Sequence, residues 1–213
     1  MARQERAEHT RNAILDAAAA KFDEYGFLGA SLSDILAEAG VTKGALYFHF
    51  ASKEELANAL IAEQFASDHE PLAGVERPGL QTAIDMGHEL AANLRANKRV
   101  RAGIRLVIEQ GSFIAPAESA YRMWIDITRT CLLAARENGD LRAEVDPDDL
   151  AQHLVGAFTG LQLSSQVLTG RADLTERVTF MWTLLLTAIV PPRRLARFKP
   201  EGTASIRIAG VSA

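Results

Sequence analysis

Disulfides, leader peptides and membrane spans are the first things this sequence lacks. One cysteine, Cys131, in 213 residues cannot form a bridge within the chain, so nothing asks for an oxidising compartment. The opening residues, Met1-Ala2-Arg3-Gln4-Glu5-Arg6, carry no apolar leader core. No unbroken apolar run approaches the ~20 residues that a bilayer span requires. These absences point to the cytoplasm and away from a membrane. Glycine-rich phosphate loops and nucleophile motifs are missing too, so no catalytic residue and no cofactor is expected. His88-Glu89-Leu90-Ala91-Ala92 begins like a zinc-protease helix, but Ala92 stands where the second histidine belongs. Histidines 9, 49, 69, 88 and 153 show no other metal spacing, so no metal site is expected either.

An excess of positive charge is also absent. The net charge is −4, and the first 55 residues hold six basic against nine acidic side chains. Bulk charge therefore gives nucleic-acid binding no support, and any support must come from where the basic residues sit. Strands are missing as well. Nearly every apolar run repeats at helical spacing, which predicts an all-α fold. Ile14, Ala18, Phe22 and Tyr25 form one stripe of a first helix that Gly26 stops. Ser31 caps a short second helix ended by Gly40, and Thr42 caps a third from Lys43 to about Phe48. Ser52-Lys53-Glu54-Glu55 is a capping box for a longer helix. Prolines and glycines between Asp68 and Gly79 read as a connector. Further helices are expected over 80–97, 100–110, from Pro116 to Asn138, from Asp146 to Thr169, and from Asp173 to Pro191.

The last two helices are apolar on more than one face. Leu174, Val178, Met181, Trp182, Leu185 and Ile189 form one stripe of the final helix, and Phe180, Leu184 and Ala188 a second. Such a helix is either central to a monomer or half of a dimer interface, and the C-terminal position favours a homodimer through these two helices.

The most informative stretch is 32–53: a short helix, a tight turn at Gly40-Val41 and a second short helix, the spacing of a helix-turn-helix. Gly44 costs a helix about 1 kcal/mol relative to alanine. A groove-binding helix explains it, because Gly44 and Ala45 let backbone approach DNA closely. Thr42, Lys43, Tyr47 and His49 offer donors for phosphate oxygens on one side, while Leu46 and Phe50 face inward. Lys53 starts the next helix, where free N–H groups also favour a phosphate. Arg3 and Arg6 lie on an N-terminal arm able to reach the DNA backbone. The competing reading is a helical subdomain with a solvated polar face, as in a ligand carrier without a DNA role. That reading leaves Gly44 and the donors from Thr42 to His49 unexplained.

With Thr42-Lys43-Gly44-Ala45-Leu46-Tyr47-Phe48-His49-Phe50 and the stretches 10–18, 22–27, 39–41 and 53–56 in view, residues 10–56 resemble the N-terminal domain of the TetR family of repressors. Met1-Ala2-Arg3-Gln4, Trp124, Glu137-Asn138-Gly139-Asp140-Leu141 and Phe158-Thr159-Gly160-Leu161-Gln162 extend the likeness to the γ-butyrolactone receptors of antibiotic-producing actinobacteria. The resemblance implies a homodimeric, nine- or ten-helix repressor on a quasi-palindromic DNA operator, released by a small γ-butyrolactone-like effector. It implies a helix-turn-helix DNA-binding domain over 1–52, an antiparallel helical ligand-binding and dimerisation domain over 53–200, and a flexible tail over 201–213. A relative that answers to an antibiotic or another metabolite shares the same N-terminal motif.

For the effector site the resemblance implies Trp124 against the ligand, with hydrogen bonds from Gln64 and from Thr159 or its neighbour Gln162. Physical chemistry adds that such a site is mostly apolar with few polar groups. The candidates are Leu90, Leu94, Ile104, Val107, Phe113, Trp124, Ile127, Thr128 and Phe158. Trp182 is assigned to core or dimer contact, and Cys131 to core.

Overall fold

The computed structural model describes residues 2–67, 72, 75–109 and 118–203, apart from the side chains at 2–3, 64–67 and 118. Among the described residues there are nine α-helices and no strand, as the all-α expectation required. They are α1 (Ala2–Gly29), α2 (Leu32–Ala39), α3 (Lys43–His49), α4 (Lys53–Ser67), α5 (Leu80–Ala96), α6 (Lys98–Glu109), α7 (Glu118–Glu137), α8 (Pro147–Thr169) and α9 (Leu174–Ile189), closed by a 3-10 helix, Pro192–Arg197. The chain forms two compact units. One contains residues 1–66 and 96–118, the other 67–95 and 119–213.

Capping chemistry sets the helix starts in the first unit. The Ser31 hydroxyl accepts the Asp34 N–H at 3.1 Å, and the Thr42 hydroxyl accepts the Ala45 N–H at 3.2 Å. The Ser52 hydroxyl accepts the Glu55 N–H, and the Glu55 carboxylate reaches back to the Ala51 N–H, a capping box displaced by one residue. Gly40 closes α2 in the left-handed region, φ 63°. Ile14, Leu15, Ala18, Phe22, Ile35, Leu46, Phe50, Leu56 and Leu60 are all buried.

Two expectations for α1 need correction. Gly26 does not end the helix; it kinks it, with φ 70° and ψ −178°, and a further turn runs to Gly29. Tyr25 does not join the buried stripe but is half exposed, because the kink follows directly and its phenol turns to Glu24.

α6 lies along α1, and a row of its arginines faces the acids of that helix. Arg99 donates to Asp16 at 2.6 Å, to Glu63 of α4 at 2.9 Å and to the Asn12 carbonyl at 3.1 Å. Arg101 pairs with Asp23 at 2.7 Å, and Arg105 donates to the Asp23 carbonyl at 2.6 Å. At the kink, the Glu109 carboxylate accepts the Phe27 N–H at 2.9 Å while Arg105 holds its other oxygen at 2.7 Å.

In the second unit, Asp146 caps α8 by accepting the N–H groups of Asp148 and Asp149, with Pro147 in the first turn, as the sequence predicted. Leu150, Ala151 and Leu154 of α8 are buried, as are Leu174, Val178, Trp182, Leu186 and Ile189 of α9. Arg142 caps the far end of α9, donating to the Thr187 and Val190 carbonyls at 3.0 and 3.2 Å. Cys131 is fully buried, and that burial pushes its thiol up to about 11, which leaves it an inert core residue.

The chain beyond Phe198, expected to fray, is tied down as far as Thr203. Lys199 N–H donates to Gln81 Oε1 at 2.9 Å, His88 Nε2 to the Pro200 carbonyl at 2.8 Å, and Thr203 N–H to Asp85 Oδ1 at 2.7 Å. Gln81, Asp85 and His88 share one face of α5. Residues 204–213 of the expected tail lie outside the described residues.

Candidate nucleic-acid interface and ligand-site residues

α3 holds seven residues and no carboxylate. Leu46 is fully buried and Phe50 nearly so, which fixes the helix by its inner face. The Arg11 guanidinium stands over the Phe50 ring, 5.3 Å from its centroid, and braces that anchor from α1. The outer face then presents Lys43, Gly44, Tyr47 and Phe48. Lys43 and Tyr47 are one turn apart, with the ammonium 5.7 Å from the ring centroid. Gly44 is open: a Cβ there would meet only the Thr42 hydroxyl, at 4.0 Å. No packing within the chain therefore requires glycine, and the surface is smooth enough for a close backbone approach. Thr42 is exposed, and its hydroxyl caps the helix. Ala45 and His49 are half-buried.

Phe48 was not among the sequence candidates. Its side chain is 78% exposed, edge-on to His49 with ring centroids 5.0 Å apart. An apolar side chain that exposed, beside Tyr47 at 46%, is out of keeping with a solvated polar face. The signal was available: with Leu46 and Phe50 inward, helical spacing sends residue 48 outward.

Three of the expected DNA contacts sit differently from the expectation. Arg3 and Arg6 are not on an extended arm, because α1 begins at Ala2 and includes both; the Arg3 side chain lies outside the described residues. The Lys53 ammonium faces the end of α1, donating to the Phe27 and Ala30 carbonyls at 2.7 and 2.9 Å and standing 4.4 Å from the Phe27 ring centroid. Those carbonyls follow the kink and lack helical partners, so a cation there completes the helix end. Lys53→Met keeps the chain length and removes both bonds. It is expected to lower the unfolding free energy by about 1–3 kcal/mol, read by denaturant titration; an unchanged midpoint would show the lysine free to serve elsewhere.

The candidate ligand residues divide between the units. Ile104 and Val107 are buried in the first; Leu90, Leu94, Trp124, Ile127, Thr128 and Phe158 belong to the second. Gln64 carries a side chain outside the described set, and Phe113 lies outside it altogether. Trp124 is half-buried and packs edge-on against Tyr121, with centroids 5.6 Å apart. Thr128 and Phe158 are half-buried. The Thr159 hydroxyl donates to the Val155 carbonyl at 2.9 Å, which leaves it only acceptor capacity. Gln162 is buried and accepts from Arg171 at 3.3 Å. Among the described residues no group of three His, Cys, Asp or Glu side chains could hold a metal ion, and no helix is long and apolar enough to cross a membrane.

Comparison with known proteins covers both units. Residues 14–60 match the family described as bacterial regulatory proteins, tetR family, and residues 79–191 match the tetracyclin repressor-like C-terminal domain. The A-factor receptor protein of Streptomyces griseus is 44% identical over 204 residues, which covers 95% of this chain and 71% of that protein. A gamma-butyrolactone receptor described as ArpA-like superposes with a TM-score of 0.80 at 34% identity, covering 92% of this chain and 96% of the other. CprB of Streptomyces coelicolor, solved in complex with its biological operator sequence, superposes with a TM-score of 0.74 at 35% identity, covering 90% and 94%.

Proposed function

The chain belongs to the TetR family of bacterial regulatory proteins and is a ligand-responsive DNA-binding repressor, and we propose that it binds a quasi-palindromic operator as a homodimer and leaves it when a γ-butyrolactone-type signal enters its C-terminal unit. The observation that carries this reading is the outer ridge of α3: Lys43, Gly44, Tyr47 and Phe48 exposed on a helix with no carboxylate, held from behind by Leu46 and Phe50. Lys43, Tyr47 and His49 meet phosphates, Thr42 and Ala45 complete the contact edge, and Gly44 admits the backbone to the groove. Phe48 meets an apolar feature of the base edges, for which a thymine methyl is the fitting partner.

Residues 1–52 serve as the DNA-binding domain and 53–200 as the ligand-binding and dimerisation domain. The last two long helices form the dimer interface. Val167, Leu168, Phe180 and Leu184 are 82%, 69%, 64% and 55% exposed within one protomer. Apolar side chains so exposed on consecutive helices are a liability unless a second copy covers them. The double variant Phe180→Asp and Leu184→Asp is expected to sediment as a monomer and to bind operator about tenfold more weakly, because two half-sites are no longer read together. A variant that remains a dimer moves the interface elsewhere.

The test of the whole reading is a titration onto DNA from upstream of the protein's own gene, at several salt concentrations, with and without a γ-butyrolactone. Tight, salt-steep binding to a discrete palindrome, abolished by the lactone, is expected. Binding that no lactone relieves keeps the repressor and removes the lactone. Weak binding, equal on every sequence, removes the operator.

A further inference from the structure

Two local costs meet at one point of the second unit. Trp182 is 2% exposed, and its indole nitrogen is buried with no hydrogen-bond partner. A buried donor left unmade is expensive, and native cores tolerate few. Facing it is Gly87, in the interior of α5, where glycine weakens a helix relative to alanine. A Cβ at Gly87 would stand 3.6 Å from Trp182 Nε1 and 3.8 Å from Val178 Cγ1, so one heavy atom has room there and the protein supplies none. Neither cost serves packing, and places where a sequence breaks local rules without a structural gain are where function is sought.

We propose that the Trp182 indole N–H is a hydrogen-bond donor of the effector site and receives a carbonyl oxygen of the effector beside the bare backbone of Gly87. This rests on the reading of the protein as effector-responsive. The indole can only donate, so its partner must carry an acceptor, which excludes hydrocarbons and amines. With Val178 alongside and one donor offered, a carboxylate would be left undersolvated. The class that fits is a neutral carbonyl on an apolar body: a lactone, ester or ketone. Trp124, the more prominent tryptophan in the sequence, is then a wall of the site rather than its donor.

The experiment uses full-length protein labelled with 15N-tryptophan, whose two indole signals are assigned with Trp124→Phe. The probes are γ-decalactone and, as a matched hydrocarbon, butylcyclohexane; operator release is followed in the same samples. The lactone should move the Trp182 indole proton downfield, the hydrocarbon should not, and Gly87→Ala should erase the shift. Trp182→Phe should need about tenfold more lactone for release. Gly87→Ala strengthens α5, so its effect is not one of unfolding. Release of operator with the Trp182 signal unmoved overturns this inference and leaves the lactone reading intact. A moved signal with the operator still bound places the carbonyl at Trp182 but removes it from the effector response, and so overturns it too. No release and no shift overturns the lactone class and this inference together.

Discussion

Replacing Lys43 and Tyr47 together by alanine is expected to weaken operator binding by about a hundredfold or more while leaving the fold untouched. Both side chains are exposed, and the anchors of α3, Leu46 and Phe50, are not altered. Each protomer loses one ammonium and one phenol, and a dimer on two half-sites loses both twice. At roughly 1 kcal/mol per lost contact the deficit passes ~2.7 kcal/mol, which is a hundredfold. The salt dependence separates the two contributions. Each lysine that neutralises a phosphate adds about 0.9 to the slope of log affinity against log salt, so the single variant Lys43→Ala should flatten the slope by about 2 per dimer. Tyr47→Ala should lower affinity with the slope unchanged. Phe48→Ala behaves differently again: if it contacts a methyl in the groove, it loses discrimination between operator and mutated operator rather than general affinity. Binding of the double variant at wild-type strength and slope would mean that α3 does not enter the groove, and circular dichroism of the same samples excludes unfolding as the cause of any loss.

The features that were legible in the sequence are those that act within a few residues. Ser31, Thr42, Ser52 and Asp146 announced helix starts because a cap binds an N–H two or three positions on. Gly40 and Gly170 announced ends for the same local reason. The inward Leu46 and Phe50 and the outward Lys43 and Tyr47 followed from helical spacing alone. What was not legible depends on partners far away in the chain. Arg99 meets Asp16, Arg101 meets Asp23 and Glu109 meets Phe27 across separations near 80 residues. This also explains why charge counting misled: the first 55 residues are acidic on paper, but Asp16 and Asp23 are paired by arginines of α6, which no N-terminal window contains. Lys53 was read toward DNA for want of the two α1 carbonyls it binds. The end segment to Thr203 was read as frayed because its partners Gln81, Asp85 and His88 lie more than 110 residues earlier. The effector site was the least legible part, since apolar side chains that line a pocket and those that fill a core look alike in sequence.

Gly26→Ala is expected to destabilise the first unit by about 2–3 kcal/mol, for a reason that exists only in three dimensions. With φ 70° and ψ −178°, Gly26 occupies a backbone region that is essentially closed to residues with a Cβ, and forcing one there costs roughly 1–3 kcal/mol. The space is occupied as well: a Cβ would lie 2.6 and 2.7 Å from the two Glu109 carboxylate oxygens and 2.8 Å from Arg105 Nη2. Those atoms end flexible side chains and can move, but moving them breaks the Glu109 bond to the Phe27 N–H, the group that the kink releases from the helical ladder. The kink in α1 and the end of α6 are thus one device: glycine turns the chain, the exposed N–H is taken by Glu109, and Arg105 holds that carboxylate while binding the Asp23 carbonyl. Because α6 follows α5 after the single residue Asn97, any shift of α6 along its axis must be felt at the kink. Two variants distinguish backbone strain from the carboxylate contact. Glu109→Gln retains an oxygen acceptor for the Phe27 N–H and gives up the charge that binds Arg105, so it should lose about 1 kcal/mol; Gly26→Ala should lose more, and the pair together less than the sum, since both act on the same contact. Urea titrations of the four proteins supply the cycle. Full additivity would mean that the kink and the α6 carboxylate are independent, and then α6 could not report to α1 through this contact.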